Sequence, residues 1–257
     1  MAELGKYLYC IIGCQEDHTF DAVAIGSDDG MVHTVCYQDL GFVVSDSLVR
    51  QYESTRQNMM AHEKVLETVM REFTLLPVRF GTVTDSTSPL QDIQKLLSNR
   101  SEEFHRLLRD IEGKVELGLK AFWRNEKTIL EEIVAETADI RYLRNSLLGQ
   151  PPEATHFDRI RLGEMVKKAV KHKRAKEAAG ILPPLRRIAH SVRENDVLAD
   201  RMVVNAAFLV DKVRVPEFDQ AVSKLDEQLS ERIALKYVGP VPPYNFVNIV
   251  VNWMELR

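Results

Sequence analysis

The segment Gly239-Pro240-Val241-Pro242-Pro243-Tyr244-Asn245-Phe246 packs three prolines into four residues beside two aromatics. Each proline fixes φ and lacks an N–H, so the segment is extended and stiff and cannot run through the centre of a sheet. More than 150 residues upstream, Leu76-Pro77-Val78-Arg79-Phe80-Gly81-Thr82-Val83 sets a proline ahead of a short apolar run that holds one arginine and ends at glycine. The spacing predicts a β-strand entered at Pro77 and left at Gly81.

At 257 residues, 45% hydrophobic and 28% charged, the chain has apolar material for more than one core, and two domains are expected. A net charge of −4 lacks the basic excess of a dedicated nucleic-acid binder. No apolar run reaches the ~18–20 residues of a membrane span, and Met1-Ala2-Glu3-Leu4-Gly5-Lys6 has no basic leader region, so a soluble cytoplasmic protein is expected. Cys10 and Cys14 read as members of one strand about 13 Å apart, too far to bridge. Cys36 falls on another strand, where pairing with one of them is geometrically possible; three reduced thiols are expected.

The pattern is α+β. Lys6–Ile12 reads as a buried strand, Asp28-Asp29-Gly30 as a turn, and Met31–Tyr37 with Phe42–Ser45 as a hairpin around Gln38–Gly41. Ser54-x-x-Gln57 resembles a capping box before a helix with Met59, Leu66, Met70 and Phe73 near one face. Strand, hairpin, helix and strand make a ferredoxin-like variant without a full first crossover helix. Pro89 opens a further helix to Ile111, which closes a first domain of residues 1–110. In the second domain, residues 111–257, Val115–Trp123 is a strand and two helices lie within Glu126–Leu148. A long charged helix runs from about Glu153 to Ala179, ended by Gly180 and Pro183-Pro184. Met202–Val210, the helix from Pro216 and Ile233–Tyr237 then form a β-α-β unit, and the Pro-rich tail 239–257 follows. No internal repeat is visible.

Little in the chain announces chemistry. His62-Glu63-Lys64-Val65-Leu66 starts like a zinc-protease helix, but Leu66 stands where the second His is needed, so no metal site is expected. There is no phosphate-cradling Gly-x-x-x-x-Gly-Lys loop, no dinucleotide turn and no Gly-x-Ser-x-Gly elbow, and no cofactor is expected. Lys167, Lys168, Lys171, Lys173, Arg174 and Lys176 place six cations within ten residues. They read as a solvated helix face, or as a binding face for an acidic partner, and no aromatics interleave them as a stacking platform. Arg79 points away from the face shared by Val78 and Phe80; it serves either an internal ion pair between helix and strand or a partner. In the tail, Tyr244, Phe246 and Trp253 either seal the protein's own core or contact a partner.

These segments together resemble the gas vesicle protein F and L family, with the F-type favoured. The resemblance rests on Tyr7-Leu8-Tyr9 with Ile12-Gly13, Asp39-Leu40 before Val43-Val44-Ser45, His62-Glu63-x-Val65-Leu66-Glu67, Leu76–Thr82 and Gly239-Pro240-x-Pro242-Pro243-Tyr244-x-Phe246. Val241 stands where the family often has Trp, and Tyr9-Cys10 where Tyr-Gly is expected. The resemblance implies a non-enzymatic accessory or minor structural protein of gas vesicle assembly. Its expected partners are the very hydrophobic major shell protein and other gas vesicle proteins, with no nucleic acid and no lipid membrane, and its expected location is the cytoplasmic gas vesicle. Arg79, Tyr244, Phe246 and Trp253 are the candidate partner-binding residues. A small-molecule-binding regulatory protein with ferredoxin-like domains is the alternative.

Overall fold

The first strand, β1 (Gly5–Gly13), is buried along nearly its whole length, and a strand covered on both faces has to sit inside a sheet. The computed structural model, which describes residues 5–27, 30–48, 51–84 and 88–253, shows how it is covered. The chain divides into two compact units: residues 1–116 together with 240–257, and residues 117–239.

In the first unit, β2 (Thr19–Phe20), β3 (Val32–Tyr37), β4 (Leu40–Ser47) and β5 (Leu75–Pro77) join β1 in the order β2-β3-β4-β1-β5. β1 pairs antiparallel with β4 and β5, and β3 with β2 and β4. Helix α1 (Arg56–Met70) carries the chain from β4 to β5, so the two strands it connects flank β1. Its buried residues His62, Val65, Leu66 and Val69 pack on Tyr7, Tyr9 and Ile12 of β1. On the other side Phe42 of β4 meets Phe104 of α3 (Ser101–Ile111) edge-on, ring centroids 6.5 Å apart. A register shift between Leu8 and Cys10 lets Tyr9 and Cys10 enter the same core cluster.

The second sheet, of β6 (Lys114–Trp123), β7 (Ser191–Glu194), β8 (Met202–Asp211) and β9 (Ile233–Val241), takes the order β7-β8-β6-β9. The β-α-β expectation is met with β6 as the strand between: α7 (Val215–Leu229) joins β8 to β9, and its Phe218 packs against Phe208 at 5.1 Å. Pro240 lies in β9, a sheet edge, where a missing N–H costs no ladder bond. Between β6 and β7 run α4 (Glu126–Glu136), α5 (Ala138–Ser146) and α6 (His156–Arg186).

Several expectations need correction. The first domain does not end at residue 110 and the tail does not belong to the second: Val247 and Ile249 are 4% and 1% exposed, and Ile249 bridges Val78 in the first unit. The strand at Leu76–Val83 is cut short at Pro77 because Thr82 N–H and its hydroxyl both turn back to the Arg79 carbonyl, at 3.3 and 2.7 Å. The cap of α1 is Thr55, not Ser54; its side chain accepts the Asn58 N–H at 3.2 Å. Leu40 and Gly41 lie within β4, since Gln38 at φ 56 makes the turn in two residues. The helix after Pro89 is two, α2 (Pro89–Asn99) and α3, parted at Arg100. Helix α6 continues through Gly180, Pro183 and Pro184 to Arg186, because Ile181, Leu182 and Leu185 there are the residues it buries, and packing overrides propensity. Asp28 and Asp29 of the expected turn lie outside the described residues, as do Met1–Leu4. Cys10, Cys14 and Cys36 are free thiols, with Cys14 Sγ 2.7 Å from Cys36 Sγ.

Candidate functional site

The groove that collects the most unusual chemistry of the first unit is built by α1, the end of β5 and the tail. Its cavity holds about 360 Å³ and is lined by apolar Met59, Pro77, Val78, Phe80, Val247 and Ile249, with His62, Glu63, Arg79, Tyr244 and Asn248 supplying polarity. Among the described residues no serine, threonine, cysteine or lysine lines it, and no cluster of His, Cys, Asp and Glu could hold a metal ion.

His62 faces inward on α1 and is 4% exposed. The Gly81 N–H donates to the Tyr7 hydroxyl at 3.0 Å, and that hydroxyl pairs with His62 Nδ1 at 2.9 Å. His62 Nε2 has no hydrogen-bond partner among the described residues. Burial lowers the His62 pKa to about 4, so the ring is neutral at physiological pH. One helical position on, Glu63 accepts the Tyr244 hydroxyl at 2.7 Å. Burial pushes the Glu63 carboxyl up, and burial with the Glu63 charge beside it pushes the Tyr244 phenol up. A second buried acid anchors the tail: Glu116, 3% exposed, accepts the Asn245 N–H at 2.8 Å and its side-chain amide. Burial raises that carboxyl too.

Of the four candidate residues, the fold brings two to this groove. Arg79 is exposed on its rim and has no ion pair among the described residues, so of its two readings the internal ion pair is not found there. Tyr244 lies opposite, 38% exposed with its hydroxyl turned in on Glu63. Phe246 is half-buried outside the groove. Trp253 folds back on its own unit, its indole N–H donating to the Val83 carbonyl at 2.8 Å. Sequence reasoning passed over Glu116 because alternation in β6 set it on the polar face. For His62 and Glu63 the signal in the sequence is a polar pair beside the apolar stripe of a helical pattern.

The cation-rich stretch is not a uniform solvated face. Lys173 bonds Glu132 at 2.8 Å and Glu136 at 2.9 Å, while Arg232 reaches Glu132 and Glu177 at 2.7 Å each. The hydrogen bonds from Arg232, then Lys173, hold the Glu132 carboxyl down at about 2. Arg174 lies over the Trp123 ring at 5.9 Å and donates to the Asp200 carbonyl at 2.9 Å.

Two antiparallel α+β units, the first carrying a tail-built groove with a neutral buried histidine, define a two-unit scaffold of mixed α/β class. The chain belongs to the gas vesicle synthesis protein GvpL/GvpF family, whose model matches residues 5–248. It is 28% identical to gas vesicle protein F of Microcystis aeruginosa over 96% of this chain and 99% of that one. To gas vesicle protein F of a Streptomyces species it is 31% identical over 87% and 90%. The crystal structure of GvpF from Anabaena superposes with a TM-score of 0.80 at 27% identity, over 96% of this chain and 100% of that one. Family membership gives the chain a gas vesicle-related role. No helix among the described residues is long and apolar enough to cross a membrane.

Proposed function

We propose that this protein acts in gas vesicle assembly, at the vesicle in the cytoplasm, by binding the major shell protein and not by catalysing a reaction. A shell subunit with an apolar gas-facing side is prone to aggregate before incorporation, and a binding protein that covers apolar surface suppresses that route. The observation that carries the reading is Arg79: a cation without an internal ion pair stands on the rim of an apolar groove whose other wall is the tail. An arginine so placed orients a bound chain by a carboxylate or carbonyl while Met59, Phe80 and Ile249 cover apolar side chains.

Co-purification with the shell protein tests it. Arg79→Ala is expected to weaken capture at least tenfold with an unchanged melting temperature, and a clean deletion to abolish vesicles. Undiminished capture by Arg79→Ala moves the contact elsewhere, and normal vesicles in the deletion strain reject the role.

A second reading has one observation in its favour. His62 Nε2 is a buried ring nitrogen without a hydrogen-bond partner among the described residues, beside a cavity of about 360 Å³, a size that suits a small ligand. A metabolite screen by thermal shift separates the two, since a rise of several degrees with one compound class supports a regulatory ligand-binding protein.

A further inference from the structure

Helix α6 is charged out of proportion to the rest of the chain. Its 31 residues carry nine Lys and Arg against three Asp and Glu, a net +6 in a chain of net −4, so the other residues together carry −10. The helix also buries little: only Ile181, Leu182 and Leu185, near its end, are fully covered. Along its middle runs a groove of about 660 Å³ shared with α4. From α6 come Gly163, Val166, Lys167, Val170, Lys171 and Arg174, spaced as one face of a helix. They span about 16 Å, or three turns.

The groove has an apolar floor and a basic edge. Trp123 and Ile129, 2% and 3% exposed, lie at the bottom, and the Trp123 indole N–H is already used on Glu177 at 2.6 Å, so what it offers is ring. Leu130 stands 39% exposed on the α4 side. Gly163 leaves bare backbone, for a Cβ there would meet nothing within 4 Å. Lys167, Lys171 and Arg174 follow one another at four- and three-residue steps along the α6 side. The two lysines are exposed and have no ion pair among the described residues. The Arg174 Nε is buried and lacks an acceptor among the described residues. Lys168 adds a fourth cation, and the carboxyl-bearing residues Glu126, Glu164 and Asp200 also line the groove.

We infer that this groove binds an amphipathic helix of a partner protein, three to four turns long, with its apolar stripe on Trp123, Ile129 and Leu130 and a row of Asp or Glu facing Lys167, Lys171 and Arg174. Length and floor fit a helix lying lengthwise, and the lysines together with the Arg174 Nε ask for carboxylates. A nucleic acid fits less well, because the aromatic beneath the cations is buried and offers no stacking platform. The surface lies in the second unit and shares no residue with the Arg79 groove, so the vesicle-assembly reading does not depend on it.

The test is fluorescence anisotropy on the purified full chain with a labelled 18-residue helical peptide carrying a leucine stripe flanked by glutamates, and with its twin in which every glutamate is glutamine. Saturable binding of the acidic peptide, at least tenfold weaker for the twin and weakening as salt rises, is expected. Lys167→Glu with Lys171→Glu should cost at least tenfold, and Leu130→Asp a similar factor, with circular dichroism unchanged. Equal binding of both peptides overturns the proposal, as does binding that ignores these substitutions. Tighter binding of a DNA duplex than of the acidic peptide overturns it in favour of a nucleic-acid face. Self-association in sedimentation that the lysine reversals abolish overturns it in favour of a second copy.

Discussion

The two units share a plan that their sequences do not share. In each, the first strand lies inside the sheet, a hairpin supplies one neighbour, and a helix leads to a last strand on the other side: β1 between β4 and β5, β6 between β8 and β9. They differ in what interrupts the plan between the first strand and the hairpin. The first unit spends the 18 residues from Cys14 to Met31 on a short excursion with β2, whereas the second inserts α4, α5 and α6 between Trp123 and Ser191. Their polar interiors differ too. The first buries a neutral network of His62, Tyr7, Tyr9 and Ser45, and the second ties Arg232, Lys173, Glu132 and Glu177 into a half-exposed ionic cluster. The frame tolerates either solution, and each candidate surface uses what its unit adds to the frame: the tail in the first, the helical insertion in the second.

The largest expected effect separates the units outright. Truncation after Val241 removes Val247 and Ile249 from the first unit's core and strips the Asn245 donors from buried Glu116. Burial of the two aliphatic side chains is worth about 3–6 kcal/mol, and an unpaired buried carboxylate adds several more, which rivals the ~5–15 kcal/mol stability of a domain. Hydrogen exchange resolved by peptide should show residues 5–110 losing protection while β8 and α7 keep theirs. Retained protection in β1 would show that the tail is an appendage.

Acid should distinguish the units next. His62 is held neutral, with a pKa of about 4 against an ordinary 6.5, so the unfolded chain takes up the proton first. Stability is complete above pH 6.5 and falls as pH drops through about 4, by about 3 kcal/mol in all. Glu63 and Glu116 oppose this, since their raised carboxyls bind protons more tightly in the fold. In the second unit Glu132, held at about 2, contributes above its ordinary 4.5 and is lost only as pH falls from there towards 2. The first unit should therefore loosen at a higher pH than the second. His62→Asn, which keeps an acceptor for Tyr7, should remove that early loss; an unchanged acid profile in the variant would clear His62 of the role.

Much of this frame was legible in the residues. β6, β8 and α7 carry clear alternation or stripes, and the Pro-rich segment could only be edge or tail. What could not be read was long-range. Nothing local says that Tyr244 and Asn245 return to Glu63 and Glu116, about 180 and 130 residues earlier, because a tail's docking partner is set by packing and leaves no periodicity. The shared plan escaped for the same reason: strand order lies in the pairing, and the stretches between first strand and hairpin have nothing in common. Pro183 and Pro184 misled because local propensity was read without the burial of Ile181 and Leu185.

A smaller effect sits in the first sheet. Cys14 and Cys36 meet across β4 only because Gly41 has no side chain: a Cβ there would collide with Cys14 Sγ and lie 3.1 Å from Cys36 Sγ. Gly41→Ala should cost about 1–3 kcal/mol by overpacking, and Cys14→Ala in the same chain should recover most of it. Additive costs in the double variant would show that the sulfurs already yield.

The smallest effect compares one turn from each unit. Gly81 has φ +80 and Gly149 φ +76, and a Cβ at either would meet nothing within 4 Å. Alanine at each should thus cost backbone strain alone, about 1–2 kcal/mol, rather than the larger clash a packed glycine gives. Their surroundings differ, however, because the Gly81 N–H holds the Tyr7 hydroxyl that in turn pairs with His62. If the left-handed turn only positions that N–H, Gly81→Ala should lower stability as Gly149→Ala does and also shift the first unit's acid midpoint, while Gly149→Ala leaves every midpoint in place. Equal costs with no midpoint shift would mean that the Tyr7–His62 pair holds its geometry without the turn.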